Sequence, residues 1–119
     1  MIVTFDGLRR FAKGHLSDMG GASPEVRASI ERGLKTGGIT PLTTQLADAK
    51  KLGLKIYACP NAMATLNITL IDLIAEVDGV MGLAAFLELA RTAAINYYIS
   101  HLYHLNCQAY VIIHIVKLS

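Results

Sequence analysis

The stretch KIYACPNAMATL, from Lys55 to Leu66, joins an apolar run to a helical pattern through a cysteine and a proline. The apolar residues of Leu54–Ala58 predict a buried strand, and Pro60–Leu66 is typical of a short helix with proline in its first turn. Cys59 therefore lies where a predicted strand ends and a predicted helix begins. Two interpretations follow: a reactive thiol placed for chemistry, or a small buried residue that only packs.

Strand and helix patterns alternate on both sides of this stretch. An apolar run at the start of the chain leads into the turn signal Asp6-Gly7, and Thr69 with Asp72 resembles a capping box that opens a helix. Further strands are predicted at Ile2–Phe5, Val77–Val80, Ile95–Ile99 and Ala109–Val116, and further helices from Ser23-Pro24, from Thr40-Pro41 and around Leu83–Ala90. The alternation predicts an α/β domain with a mostly parallel sheet.

The predicted helices carry apolar residues at helical spacing, which we expect to face the core. These residues are Val26, Ile30 and Leu34 in the first stripe, Leu42, Leu46 and Ala49 in the second, and Leu83, Phe86, Leu87 and Ala90 in the third.

The composition suits one folded domain. The chain has 119 residues, of which 53% are hydrophobic and 17% are charged, and this balance argues against disorder. Eleven basic and nine acidic side chains leave a net charge of +2. Because that excess is small, the composition favours neither a nucleic-acid partner nor a membrane surface.

The location of the protein is predicted from its cysteines and its apolar segments. Two cysteines make no disulfide framework, and no charged, apolar leader opens the chain, so we expect a reducing, cytoplasmic compartment. The segment Thr92–Val116 lacks acidic residues, lysine and arginine and is long enough to span a bilayer. Its histidines, asparagines and glutamine would each need a partner in lipid, so we favour no membrane span.

The predicted position of Cys59 has a chemical consequence. Ligands of parallel sheets bind beyond the carboxyl ends of the strands, where Cys59 is expected. Backbone N–H groups of Asn61, Ala62 and Met63 would point at the start of the helix and could stabilise a thiolate or a persulfide. No second cysteine completes a dithiol motif, and neither common glycine-rich phosphate loop is present.

Other residues offer weaker chemistry. Asp6 follows a predicted strand and could line the same edge as Cys59, although the favoured interpretation is that it caps the following segment. His101, His104 and Cys107 are spaced i, i+3, i+6 and could offer metal ligands on a helix, but histidines that simply face water are the favoured interpretation, and we predict no metal site. His114 fits a core or edge residue of the last strand.

Three blocks of the sequence resemble the DsrE/DsrF-like family over about residues 1–100. The blocks are TFDGLRRFAK (Thr4–Lys13), LKIYACPNAMATLNI (Leu54–Ile68) and DLIAEVDGVMGLAAFLELA (Asp72–Ala90). The resemblance implies a three-layer α/β sandwich around a mainly parallel sheet, assembled into trimers or hexamers. It also implies that Cys59 accepts sulfane sulfur as a persulfide and hands it to TusA-like or rhodanese-like partners, without a cofactor.

The chain departs from the family in two places. Family domains usually begin with an additional strand and helix, which this sequence lacks, and residues 101–119 match no part of the family. The segment AYVIIHIV (Ala109–Val116) could supply a strand where the missing one would lie.

From the position of Cys59 and the resemblance, we predict a sulfurtransferase-like sulfur carrier. The alternatives are a non-catalytic structural subunit of a DsrE-like oligomer, with Cys59 buried and inert, and a shortened, inactive remnant.

Overall fold

A computed structural model describes residues 1–93, 95–101 and 109–115, the last two ranges through their backbone. The strands are β1 (Ile2–Val3), β2 (Tyr57–Ala58), β3 (Gly79–Val80), β4 (Ile95–His101) and β5 (Ala109–Ile115). The helices are α1 (Phe5–Arg10), α2 (Pro24–Lys35), α3 (Leu42–Lys51), α4 (Pro60–Leu66) and α5 (Leu83–Ala90), with a 3-10 turn at Leu70–Asp72. The chain is an α/β protein, as the sequence predicted.

The strands form one sheet in the order β3-β2-β1-β5-β4. β1, β2 and β3 are mutually parallel, with Val3 opposite Ala58 and Ala58 opposite Val80. β5 runs antiparallel to both β1 and β4. The described sheet is therefore mixed, where the sequence predicted a mostly parallel one. β4 and β5 pair in antiparallel orientation, because the residues 102–108 between them are fewer than the dozen or so that a parallel crossover needs.

Residues Ala109–Ile115 of the predicted segment form β5, which covers the side of β1 not paired with β2. Val3 of β1 lies opposite Val111 of β5. Pairing on both sides makes β1 an internal strand, even though only two of its residues belong to the ladder.

The start of the chain differs from the prediction. We expected a strand over Ile2–Phe5 and a turn at Asp6-Gly7, but the strand ends at Val3 and both turn residues lie inside α1. The N–H of Leu8 donates to the carbonyl of Thr4 at 3.2 Å, which closes the first helical turn. Phe5 begins that helix with φ at 42°, an uncommon conformation for a residue other than glycine.

Two other predicted helix starts are shifted. α3 begins at Leu42 with Pro41 at the N-cap, so Thr40 does not cap it. The Asp72 carboxylate accepts hydrogen bonds from the N–H and hydroxyl of Thr69 at 2.8 and 2.6 Å. The bond from the N–H is the one that the carboxylate makes in a capping box, but the pair opens only the 3-10 turn. The helix predicted there is a 3-10 turn of three residues, Leu70–Asp72.

The core lies where the parallel strands meet α1, α4 and α5. Its buried residues are Ile2, Val3, Leu8, Leu46, Ile56, Ala58, Cys59, Ala62, Leu73 and Phe86. The predicted stripes are only partly buried. α3 buries Leu46 but exposes Leu42, and α5 buries Phe86 and Ala90 but exposes Leu83 and Leu87. α2 buries no residue at all. Its apolar stripe predicted a buried face, but a stripe does not specify which element will cover it. Among the described residues, no helix is both long and apolar enough to cross a membrane.

Candidate functional site at the carboxyl edge of the parallel strands

Cys59 follows the middle one of the three parallel strands. Its N–H donates to the carbonyl of Val3 at 3.0 Å, and the carbonyl of Ala58 accepts from the N–H of Met81 at 3.1 Å. The chain that leaves β2 is therefore held from β1 on one side and from the residue after β3 on the other. This confirms that Cys59 lies at the carboxyl end of a parallel strand.

α4 starts directly after the cysteine. Cys59 is the N-cap residue, with an extended backbone (φ −74°, ψ 123°), and Pro60 takes the first helical position. Proline is favoured there because its fixed φ suits a helix and its missing N–H would have had no helical partner. The helix ends at Leu66, so the predicted bounds Pro60–Leu66 are confirmed.

The three backbone N–H groups assigned to the sulfur are not equivalent. The N–H of Met63 donates to the carbonyl of Cys59 at 3.0 Å and is thus already engaged as the first intrahelical hydrogen bond. Asn61 and Ala62 occupy the second and third helical positions, whose N–H groups have no carbonyl within their own helix. An anion at Cys59 would consequently have two nearby N–H donors, those of Asn61 and Ala62, and not the three that the sequence suggested.

The thiol itself is buried. Cys59 is 7% exposed and belongs to the hydrophobic core, beside the fully buried Ala62. Within residues 1–93, the structure shows no hydrogen bond from the amides of α4 to the Cys59 side chain. A reagent must therefore reach a sulfur that its neighbours almost fully cover.

Asp6 lies in the first turn of α1 and forms an ion pair with Arg9, with 3.4 Å between the carboxylate and the guanidinium. Thr4, not Asp6, is the N-cap residue of that helix. An acidic residue in the first turn complements the positive end of the helix dipole, but Asp6 does not cap α1 as the sequence predicted. About half of the Asp6 side chain is exposed, and its described ion pair joins it to Arg9 of its own helix.

Thr4 is a residue at this edge that the sequence did not single out. Val3 lies opposite Ala58 in the parallel ladder, so Thr4 and Cys59 follow at the same level of neighbouring strands. Thr4 is the one buried polar residue of the described side chains. A hydroxyl residue directly after the apolar pair Ile2-Val3 was the available signal, but the predicted strand ran on to Phe5 and so placed Thr4 inside it.

The structure describes one of the three metal ligands considered in the tail. His101 ends the strand β4, whereas His104 and Cys107 lie outside the described residues. His114 lies in β5. In the part of the chain whose side chains are described, no cluster of three histidine, cysteine or acidic residues could hold a metal ion.

A charged cluster lies at the opposite, amino edge of the strands, and the sequence did not predict it. Asp78 precedes β3 and contacts Lys50 at 2.5 Å, Lys55 at 3.4 Å and the N–H of Ile56 at 2.8 Å. It ties the end of α3 and the start of β2 to the start of β3. Since parallel strands place their amino and carboxyl ends at opposite edges, this cluster is separate from Cys59.

Comparison of the chain with protein-family models, curated proteins and solved structures found no match. The class that the fold defines is a small α/β protein with a cysteine at the carboxyl edge of its parallel strands. The resemblance to the DsrE/DsrF-like family stays a prediction from the sequence blocks.

Proposed function

We propose that this protein is a sulfur carrier that uses Cys59 to accept and deliver sulfane sulfur. The observation that supports the proposal is the position of Cys59 at the carboxyl end of β2, at the N-cap of α4 and between the chains leaving β1 and β3. Substrates of parallel sheets are generally bound at that edge. The sequence blocks around Cys59 add the DsrE/DsrF-like resemblance, with its three-layer sandwich and a trimeric or hexameric assembly.

The proposed chemistry is an exchange of one sulfur atom between thiolates. The Cys59 thiolate attacks the outer sulfur of a donor persulfide, R–S–SH. A bond forms between the two sulfurs, the donor S–S bond breaks, and R–S⁻ leaves. An acceptor thiolate then attacks the outer sulfur of the Cys59 persulfide and regenerates the Cys59 thiolate. Each step conserves charge and oxidation state, so the cycle needs no metal, organic cofactor or external reductant.

The chain's own groups would act on the anionic forms. The N–H groups of Asn61 and Ala62 are the nearest backbone donors at the start of α4, and the peptide dipoles of the helix favour negative charge there. The proposed partners are TusA-like or rhodanese-like carrier proteins, as the resemblance implies. Free thiols persist in a reducing compartment, so we place the exchange in the cytoplasm.

The burial of Cys59 favours a second candidate function. A side chain that is 7% exposed leaves little room for a donor protein to approach its sulfur. In the second candidate, the chain is a structural subunit of a DsrE-like oligomer and Cys59 only packs against its neighbours. Burial among apolar side chains would then shield the sulfur and slow its alkylation.

Intact-mass measurement separates the two candidates. The protein is incubated with a small persulfide donor and weighed, beside Cys59→Ser and the matched control Cys107→Ser. The carrier predicts a mass increase of one sulfur atom in the unmodified chain and in Cys107→Ser, absent from Cys59→Ser and removed by an added thiol. If no adduct forms on Cys59, or if an adduct is retained in Cys59→Ser, the carrier proposal is wrong.

A further inference from the structure

The two outer edges of the sheet differ greatly in length. At one edge, β3 contributes two residues, Gly79 and Val80. At the other edge, β4 contributes the seven residues Ile95–His101, and among the described residues it pairs only with β5. In an antiparallel ladder, every second residue of an edge strand directs its N–H and C=O groups away from its partner. The β4 edge therefore presents a row of backbone donors and acceptors.

The sequence of this edge lacks the features that usually prevent strands from pairing. Natural edge strands are protected by charged residues, especially lysine, by proline, by bulges or by shortness. β4 reads INYYISH and contains no acidic residue, lysine, arginine or proline. Its seven residues pair continuously with β5, from Ile95 opposite Ile115 to His101 opposite Ala109, so no bulge interrupts it.

We propose that a second copy of this chain pairs with β4 in antiparallel orientation, through a two-fold axis at Tyr98. Full overlap of the seven residues places Tyr98 opposite Tyr98 of the second copy, and Asn96 opposite Ser100. An uncharged strand meets no like-charge repulsion when it pairs with itself. The two sheets become one continuous sheet. The proposal is independent of any chemistry at Cys59.

Pairing between two β4 edges fits the structure better than head-to-tail stacking of many copies does. Head-to-tail stacking would require β4 of one molecule to pair with β3 of the next, which offers only two residues. Lys55 and Asp78 also place charges at the start of β2 and β3, beside that short edge. A two-fold pair uses both β4 strands once and leaves only the short β3 edges outside. The contact between the two β4 strands therefore closes as a symmetric pair, and larger assemblies that contain it have an even number of copies.

Disulfide trapping tests the register directly. In the full chain carrying Cys59→Ser and Cys107→Ser, a cysteine is introduced by Tyr98→Cys or, as the matched control, by Ser100→Cys. Opposed residues of an antiparallel pair have Cα atoms about 4.5 to 5.5 Å apart, within the reach of a disulfide. The two copies of residue 100 would be about 14 Å apart in this register, since four residues separate them along the strand.

Mild oxidation should link most of the Tyr98→Cys protein into dimers and leave the Ser100→Cys protein as single chains on a non-reducing gel. Sedimentation of the unmodified chain over a range of concentrations should show an assembly with an even number of copies. A monomer at every concentration, an odd-numbered assembly, or equal cross-linking of both variants would overturn the proposal. If a strand variant fails to fold, sedimentation of the unmodified chain still tests whether copies of the chain pair.

Discussion

Asp78 accepts a hydrogen bond from the backbone N–H of Ile56 at 2.8 Å, and this contact links the start of β2 to the residue before β3. The same carboxylate forms ion pairs with Lys50 and Lys55. Burial alone would raise the pKa of Asp78. The hydrogen bonds from Lys50 and Ile56 and the charges of both lysines outweigh it, so the pKa lies below the ordinary value of 3.8.

Replacement of Asp78 by asparagine tests the ion pair. Asp78→Asn keeps an oxygen for the Ile56 amide but removes the charge facing Lys50, and both side chains of that pair are mostly shielded from water. We expect the free energy of unfolding at neutral pH to fall by about 1 to 2 kcal/mol, measured by urea denaturation. Asp48→Asn is the matched control, because Asp48 and Lys51 form an exposed pair whose loss should cost less than about 0.5 kcal/mol.

The effect of Asp78 should also depend on pH in one direction. Because the pKa is lower in the folded protein than in the unfolded chain, the carboxylate stabilises the fold above the unfolded pKa and loses this effect as pH falls through the folded pKa. The difference in unfolding free energy between the unmodified chain and Asp78→Asn should therefore shrink below pH about 4. A difference that grows on acidification would contradict this account.

The core between the sheet and α1 depends on Leu8. Leu8 is fully buried, so Leu8→Ala removes apolar contacts and leaves a cavity, and the free energy of unfolding should fall by about 2 to 5 kcal/mol. Leu52→Ala is the matched control, because Leu52 is 85% exposed and its loss should change stability by less than about 0.5 kcal/mol. Thermal unfolding of the two variants side by side measures both values. Equal losses would show that α1 does not cover the sheet as described.

The end of α4 requires an unusual backbone. Asn67 is its C-cap residue, in the left-handed conformation with φ at 52° and ψ at 44°. Glycine adopts this conformation freely and a β-branched residue does not. Asn67→Gly should therefore keep or raise the melting temperature, whereas Asn67→Val should lower stability by about 1 to 2 kcal/mol. The side chain is exposed, so packing does not confuse the comparison. Similar melting temperatures for both variants would refute the backbone explanation.

Local signals in the sequence predicted some elements accurately. Pro60 and the apolar pattern after it gave the bounds of α4, and Ser23 with Pro24 gave the start of α2, where the Ser23 hydroxyl accepts from the N–H of Val26 at 3.4 Å. These features depend on neighbours within one helical turn. Cys59 was placed at a strand end for the same reason.

Features that depend on distant residues were not predictable in this way. Asp78 meets Lys50 and Ile56 across more than twenty positions of sequence, and no spacing rule connects them. The Asp6-Gly7 pair was interpreted as a turn because the propensity of Gly7 was considered without the hydrogen bond between Thr4 and Leu8. The apolar stripe of α2 predicted a buried face but did not indicate which element would cover it. Long-range packing, which propensity does not encode, decided the cases of Asp78 and α2, whereas the Thr4–Leu8 hydrogen bond is a local contact that the turn propensity of Gly7 concealed.

The N-cap position of Cys59 predicts how substitutions there affect folding. Serine is among the preferred N-cap residues because its hydroxyl accepts a hydrogen bond from the second or third helical N–H, here that of Asn61 or Ala62. Alanine cannot do so. We therefore expect Cys59→Ser to be more stable than Cys59→Ala by about 1 kcal/mol in urea unfolding, even though the site is buried. If Cys59→Ser is instead the less stable variant, its hydroxyl is buried without a partner and does not cap α4. The serine variant would then be an unsuitable control for sulfur transfer, and Cys59→Ala should replace it.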